Sequence, residues 1–214
     1  MQPLLQYKPP SDAIEILAEE ERYIIANKPA GLLSVPGKEE RLSDCLEARL
    51  REQYKDTLLV HRLDMDTSGV MVFARKKRMQ RELSAQFERK ETSKRYIALV
   101  EGIVQEDEGE VDLPLLTDWP NRPLQKVDAE GKPSRTLWHV LERIEQTTLV
   151  ALTPITGRTH QLRVHMKEIG HPILGDRFYG NAATAARLCL HAEILAFSDP
   201  DTGESLSFTA PAPF

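Results

Sequence analysis

The residues best suited to chemistry are concentrated in residues 61–69, which read His-Arg-Leu-Asp-Met-Asp-Thr-Ser-Gly. Asp64 supplies a carboxylate that can act as a nucleophile or as a general base. Arg62 places a permanent positive charge in the same segment. An ordinary turn explains the same residues, because Asp before Thr-Ser-Gly is common turn chemistry. The local pattern therefore leaves a catalytic loop and a structural turn both open.

A second polar segment, residues 157–165, reads Gly-Arg-Thr-His-Gln-Leu-Arg-Val-His. Thr159 can cap a helix that runs to Ile169, and Gly170 suits the C-terminal end of that helix. A capped and solvated helix end accounts for the segment without any function. Its density of arginine and histidine also makes it a candidate binding segment.

A metal centre is the first chemistry to weigh, because four histidines lie in the C-terminal part of the chain: His160, His165, His171 and His191. His160 and His165 are five residues apart, which separates them by about 140° around a helix. The sequence has neither a His-Glu-x-x-His pattern nor paired cysteines. We therefore predict no metal ligands in this chain.

The elements around residues 61–69 are predicted from apolar patterns. Residues 23–26 suit a strand, and the Asn-Lys-Pro-Ala-Gly of residues 27–31 forces a turn after it. Residues 70–74 form an apolar run that suits a buried strand. The polar segment is therefore expected to be a loop leading directly into a strand.

Helices are predicted on both sides of this strand. Leucines at 42, 46 and 50 suggest a short helix started by Ser43, and Met79, Leu83 and Phe87 form one apolar stripe. Residues 71–100 hold nine basic and three acidic side chains, an excess of six positive charges. Such a run suits either a solvated helix face or a phosphate-binding surface.

The remaining pattern favours the α+β class. Residues 94–100 and 148–153 suit strands, and residues 113–123, with three prolines, suit an ordered surface loop. Helices and strands do not alternate regularly along the chain. We therefore expect a largely antiparallel central sheet with flanking helices.

Composition is that of a globular protein, with 41% hydrophobic and 29% charged residues in 214. No apolar run approaches the roughly 18 residues of a membrane span, and the N-terminus does not resemble a signal peptide. These features predict a cytoplasmic protein, with Cys45 and Cys189 as reduced core thiols. The net charge of −5 argues against a nucleic-acid partner unless the basic residues cluster.

Several segments together resemble the RluA-type pseudouridine synthases. Residues 61–74 are similar to the active-site motif of that family, residues 27–32 to its first motif, residues 94–98 to its tyrosine motif and residues 155–175 to its arginine motif. The resemblance covers roughly residues 22–213. Two departures are visible, because Ser134 stands where alanine is usual and Asp199 where a histidine-proline pair is common.

The resemblance implies a role for each of several residues. Asp64 is the catalytic aspartate, Arg62 helps to displace the target base, Tyr96 stacks on the uracil, and Arg163 pairs with Asp64. The substrate-binding surface is expected to include five further residues: His61, Arg158, Leu162, Lys76 and Lys77.

The resemblance also implies the pseudouridine synthase catalytic fold with a central RNA-binding cleft. Residues 1–21 are expected to form an N-terminal arm and residues 22–214 a single catalytic domain, without a separate N-terminal RNA-binding domain. No cofactor is required, because uridine and pseudouridine are isomers. Similarity to a dual-specificity member implies structured RNA partners, namely 23S ribosomal RNA and the tRNA anticodon stem-loop, and we expect a monomer. The alternative is a non-catalytic RNA-binding or RNA-folding module of the same fold.

Overall fold

A computed structural model describes residues 7–214. Its strands are β1 (Glu15–Glu19), β2 (Tyr23–Lys28), β3 (Leu58–Leu59), β4 (Ser68–Ala74), β5 (Ser93–Glu101), β6 (Glu108–Asp112), β7 (Leu115–Thr117), β8 (Gln125–Val127), β9 (Arg135–Ile144), β10 (Thr147–Pro154), β11 (Leu190–Ser198) and β12 (Ser205–Thr209). Its α-helices are α1 (Leu46–Gln53), α2 (Lys77–Arg89) and α3 (Gln161–Glu168).

The chain divides into two compact units. Unit 1 comprises Met1–Thr92 and Leu195–Ala210, and unit 2 comprises Ser93–Ile194 and Pro211–Phe214. Strand pairing is antiparallel in both units. In unit 1 the pairs are β1 with β2, β2 with β4 and β3 with β4. In unit 2 they are β10 with β5, β10 with β9 and β6 with β9. The expected α+β fold with a large, largely antiparallel sheet is therefore confirmed.

Unit 1 is built on strand β4, in which every residue is buried. The predicted strand at residues 70–74 is present and begins two residues earlier, at Ser68. The apolar stripe of α2 also forms as predicted, and Met79 and Leu83 pack into a core with Val70 and Val72 of β4. Because β4 is fixed by this core, the loop that precedes it has a rigid end.

The short helix of unit 1 begins later than its sequence pattern suggests. Ser43 was expected to start it, but α1 begins at Leu46 and its N-cap is Cys45. The Cys45 sulfur accepts a hydrogen bond from the Ala48 amide at 3.4 Å. A separate 3-10 helix, Glu40–Leu42, precedes it. Serine is a much commoner N-cap residue than cysteine, so the sequence pattern predicted that the helix starts at the nearby Ser43.

Unit 2 contains both strands predicted for it, residues 94–100 within β5 and 148–153 within β10. Leu162 and Met166 of α3 pack against the hydrophobic core that these strands contribute to. The segment 113–123, expected to be a loop, instead includes β7, which pairs with β8. Three residues per strand are too few for the alternation that identifies strands in sequence.

Helix α3 is also entered differently from the prediction. Thr159 was expected to cap it, but its N-cap is His160, which adopts a left-handed conformation with φ of 54°. The His160 side chain makes no cap hydrogen bond. A positive φ is uncommon outside glycine and is set by tertiary contacts, so the capping pattern in the sequence could not reveal it.

The predicted N-terminal arm, residues 1–21, contains strand β1, and residues 1–6 of that arm lie outside the described residues. The division of the chain into this arm and a single catalytic domain at residues 22–214 remains a prediction. Among residues 7–214, no helix is long and apolar enough to cross a membrane.

Asp199, one of the two departures from the family pattern, has a structural function in unit 1. Its carboxylate accepts hydrogen bonds from the Arg22 guanidinium at 3.0 and 2.5 Å and from the Asp201 amide at 2.9 Å. The Arg22 hydrogen bonds outweigh burial and hold the pKa of Asp199 below its usual range. The carboxylate thereby joins the start of β2 to the turn between β11 and β12.

Replacing Asp199 with asparagine should lower the free energy of unfolding by about 1.5 to 3 kcal/mol at pH 7, the usual contribution of hydrogen bonds to a charged group. Because the pKa of Asp199 is depressed in the folded protein, this contribution is present above the unfolded-state pKa and is lost as pH falls through the folded value. Urea denaturation of both proteins between pH 7 and pH 2 measures it. The exposed Glu91 of the same unit, paired with Arg89, is the control, and Glu91→Gln should leave the free energy of unfolding nearly unchanged. An Asp199→Asn effect that is equally small, or independent of pH, would contradict this interpretation.

Candidate active site

The loop that carries Asp64 lies between β3 and β4 and is held by a buried lysine of unit 1. Lys28 is 0% exposed. Its ammonium group donates to the carbonyl oxygens of Pro29 at 2.9 Å, Leu32 at 2.7 Å and Met65 at 2.9 Å. The Gly31 amide also donates to the Met65 carbonyl at 2.9 Å. The residue after Asp64 is therefore fixed to the turn that follows β2.

The residue before Asp64 is fixed by Ser34. The Ser34 hydroxyl donates to the Leu63 carbonyl at 2.7 Å and accepts from the Leu63 amide at 3.1 Å. The Asp64 carbonyl accepts from the Thr67 amide at 3.2 Å, which closes a turn. Asp64 is thus held on both sides while it remains partly exposed. A carboxylate fixed in this way is preorganised for chemistry.

Sequence reasoning did not identify Lys28 or Ser34 as residues of the site. The signal was the Asn-Lys-Pro-Ala-Gly segment, which was interpreted as a turn and as part of the family's first motif, with no role given to its lysine. The turn is present, with Gly31 at φ of 82°. Its lysine, however, also positions a loop 37 residues further along the chain.

His61 and Arg62 begin the same loop and differ in exposure. The His61 ring stacks on Phe87, with ring centroids 4.4 Å apart, and its Nε2 accepts a hydrogen bond from the Val72 amide at 3.1 Å. Arg62 is exposed. The imidazole therefore anchors the start of the loop to β4 and α2. The assignment of both residues to substrate binding remains a prediction.

In unit 2, the predicted residue Arg163 is 2% exposed. Its guanidinium donates to both carboxylate oxygens of Asp176, at 2.7 and 2.6 Å, and lies within 5.2 Å of the ring centroids of Phe178 and Tyr179. Sequence analysis expected Asp64 as its partner and missed Asp176. Pairing with Asp64, which belongs to unit 1, remains a prediction.

Asp176 is itself fully buried, which would raise its pKa. The hydrogen bonds and charge of Arg163, with the amides of Phe178 at 2.8 Å and Tyr179 at 3.1 Å, outweigh that effect and lower the pKa. The carboxylate is therefore ionised at neutral pH. It holds the guanidinium in one orientation, as a bidentate arginine pair does.

Arg158 and Leu162 lie in the same segment but in different surroundings. The buried Gln161 side chain accepts from the Arg158 amide at 3.0 Å and from the Thr156 hydroxyl at 2.7 Å, and donates to the Arg135 carbonyl at 2.9 Å. The Arg158 side chain is exposed above this fixed backbone. Leu162 is 7% exposed within the core of unit 2, which accounts for it without a substrate contact. Substrate binding by either remains a prediction.

Tyr96 lies on β5 and is half-buried. Lys94 is two residues earlier, so the strand geometry places both on the same face. Burial lowers the pKa of Lys94. An aromatic ring and a partly buried amine therefore share one face of this strand.

The basic residues of unit 1 divide into paired and unpaired groups. Lys76 forms an ion pair with Glu21, and Arg75 and Arg78 contact carboxylates at 3.1 and 2.9 Å. Lys77 is exposed and, among residues 7–214, has no carboxylate within ion-pair distance. Much of the positive charge counted in sequence is therefore compensated, and Lys77 is better placed than Lys76 to meet a phosphate.

Comparison with solved structures identifies proteins of the same fold. The chain resembles Human RNA Pseudouridylate Synthase Domain Containing 1 with a TM-score of 0.80 and 29% identity, covering 97% of this chain and 87% of that one. It resembles Human RNA Pseudouridylate Synthase Domain Containing 4 with a TM-score of 0.74 and 26% identity, covering 92% and 88%.

Sequence comparison agrees with the structural comparison. The chain is 52% identical to the Dual-specificity RNA pseudouridine synthase RluA of Pasteurella multocida, over 99% of both chains. It is 50% identical to the protein of the same name from Escherichia coli K12, over 97% of this chain and 98% of that one. The family described as RNA pseudouridylate synthase matches residues 22–168. The chain therefore belongs to the RNA pseudouridylate synthase family.

Proposed function

We propose that this protein isomerises specific uridines in structured RNA to pseudouridine, with Asp64 as the essential carboxylate. The observation that carries the proposal is the loop between β3 and β4, in which Lys28 and Ser34 fix the residues on either side of Asp64. Family membership supports the reaction, and this loop offers a preorganised carboxylate in the segment that resembles the family's active-site motif.

The reaction breaks the bond from C1′ to N1, turns the uracil, and joins C1′ to C5. The proton on C5 leaves and N1 gains one, so substrate and product are isomers and nothing is oxidised or reduced. The protein must supply a carboxylate as nucleophile or base, and a pocket that retains the detached uracil. Because atoms and electrons balance within the nucleotide itself, the reaction needs no cofactor.

The other site residues take roles that match their surroundings. The target base must leave its stack, at a cost of a few kcal/mol, and the exposed Arg62 is suited to fill the gap. Tyr96 stacks on the uracil ring. Asp176 orients Arg163, and we propose Arg163 as the charge partner of Asp64.

The RNA substrates follow from the relatives named dual-specificity RNA pseudouridine synthase. We infer that this chain modifies 23S ribosomal RNA and the anticodon stem-loop of some tRNAs, acting as a monomer in the cytoplasm. A non-catalytic RNA-binding or RNA-folding module of the same fold is the alternative. The combined presence of Asp64, Tyr96 and Arg163 disfavours it, because an RNA-binding module would not need all three.

Asp64→Asn should abolish isomerisation while leaving RNA binding nearly intact. The substitution keeps the side-chain shape and removes its charge, so we expect affinity within about tenfold of the wild type, a window of roughly 1.4 kcal/mol. RNA tritiated at C5 of uracil measures turnover, because formation of the C1′–C5 bond releases the label into water.

Asp66→Asn is the matched control, because Asp66 lies in the same loop two residues away. It should retain most of the wild-type turnover, because Asp66 is not the proposed catalytic carboxylate. Tritium release by Asp64→Asn at a rate near the wild-type rate would disprove the assignment of Asp64. A wild-type protein that binds both RNAs and releases no tritium from either would favour the non-catalytic alternative.

Lys77→Glu should weaken binding to all RNAs similarly and reduce the dependence of log Kd on log salt by about one to two ions, because Lys77 meets a phosphate rather than a base. Lys76→Glu should have a smaller effect, since Lys76 already pairs with Glu21. Titrations of an anticodon stem-loop and a 23S ribosomal RNA hairpin at several KCl concentrations provide the measurement. Wild-type affinity that does not change with salt, or an unaltered salt dependence in Lys77→Glu, would count against a phosphate contact.

A further inference from the structure

Trp119 is the most exposed large hydrophobic side chain among residues 7–214, at 67%, whereas the next, Leu141, is 47% exposed. It begins a 3-10 helix, Trp119–Asn121, in unit 2. The segment 118–128 holds two basic side chains, Arg122 and Lys126, and two acidic ones, Asp118 and Asp128, and Lys126 pairs with Asp128 at 2.7 Å. A largely exposed indole here lies beside the positive charge of Arg122.

The segment that presents Trp119 is tied together by its own hydrogen bonds. The Asp118 amide donates to the Leu124 carbonyl at 2.9 Å, and the Leu124 amide donates to the Asn121 carbonyl at 3.1 Å. The Asn121 side chain also donates to the Asp118 carboxylate at 2.9 Å. Trp119 is therefore held outward by an ordered loop, so a ligand would not have to order that loop on binding.

Arg122 occupies one face of the indole. Its guanidinium carbon lies 4.5 Å from the ring centroid, in the range of a cation–π contact. Because the residue as a whole remains 67% exposed, much of the indole is accessible to a ligand. The pair offers a flat aromatic surface backed by a positive charge.

The same loop is connected to the arginine segment of unit 2. The Gln125 amide donates to the Tyr179 hydroxyl at 2.9 Å, and that hydroxyl lies 2.6 Å from Nδ1 of His160. His160 immediately precedes α3, which carries Arg163. The exposed indole is thus fixed relative to residues already assigned to RNA handling.

We propose that Trp119, backed by Arg122, is a stacking site for an unpaired nucleobase of the substrate RNA other than the target uridine. An indole accepts any base, because every base has a π-face, and the neighbouring Arg122 suits an accompanying phosphate. An apolar protein partner would need a wider apolar surface than Trp119 and its exposed neighbours Pro120, Asn121 and Pro123 provide. The inference rests on the proposed function, since RNA is the ligand.

Tryptophan fluorescence tests the contact directly, because the chain has two tryptophans and Trp138 is buried in the core of unit 2. The probes are a tRNA anticodon stem-loop transcript and a fully paired RNA duplex of the same length. The difference between wild-type and Trp119→Phe emission reports Trp119 alone. We expect the stem-loop to quench that difference signal and the duplex to leave it unchanged.

Affinity provides the second readout. Trp119→Ala and Trp119→Leu should each weaken binding of the stem-loop by about fivefold to a hundredfold, and Trp119→Phe should weaken it less. Leu141→Ala is the matched control, an exposed apolar residue of the same unit that should leave affinity unchanged. If leucine binds as well as phenylalanine at position 119, the contact is apolar packing and the stacking site is wrong.

The outcomes separate this inference from the proposed function. If stem-loop binding leaves Trp119 emission unquenched and Trp119→Ala binds normally, while the wild type releases tritium, the stacking site is wrong and the isomerase assignment stands. If quenching and weakened binding occur and the wild type releases no tritium, the stacking site is supported and the isomerase assignment fails.

Discussion

The position of the Asp64 loop depends on the hydrogen bonds of the buried Lys28 ammonium group. Burying a charge is costly unless it is fully hydrogen-bonded, and here the carbonyls of Pro29, Leu32 and Met65 accept its hydrogen bonds. The arrangement can form only if the turn after β2 and the loop before β4 come together. Satisfying one buried cation therefore also places Asp64, which lies next to Met65, at a fixed position in unit 1.

Unit 2 also contains a buried charged side chain whose charge is compensated by neighbouring groups. Arg163 is buried, and its charge is compensated within the unit by the equally buried Asp176, whose carboxylate also accepts two backbone amides. Breaking such a pair leaves an isolated buried charge, which typically costs about 3 to 5 kcal/mol. Each unit thus fixes a residue that we propose to be functional, through a buried charge that only the native packing can satisfy. The exposed Trp119 loop is attached to the same part of unit 2 through Tyr179.

The sequence predicted the elements that depend on local pattern and missed the contacts that do not. The apolar run of β4 and the stripe of α2, which repeats every four residues, are visible in any short window, and both formed as predicted. The hydrogen bonds of Ser34 to Leu63 join residues 29 apart, and those of Arg163 to Asp176 join residues 13 apart. Contacts between residues this far apart leave no periodic pattern in the sequence. The roles of the site residues came from the family resemblance, because a turn explained the Asp64 segment equally well.

The most direct test is amide hydrogen exchange at Leu63, measured together with turnover in the wild type and in Ser34→Ala. It asks whether the hydrogen-bonded loop holds Asp64 in position for catalysis. The Leu63 amide should exchange slowly in the wild type, because it donates to the buried Ser34 hydroxyl. Ser34→Ala should speed its exchange and lower tritium release from C5-labelled RNA, with RNA affinity within about tenfold. Ser84→Ala, a matched substitution on α2, should change neither. If exchange at Leu63 accelerates and turnover is undiminished, the fixed loop is not what makes Asp64 effective, and the account is contradicted.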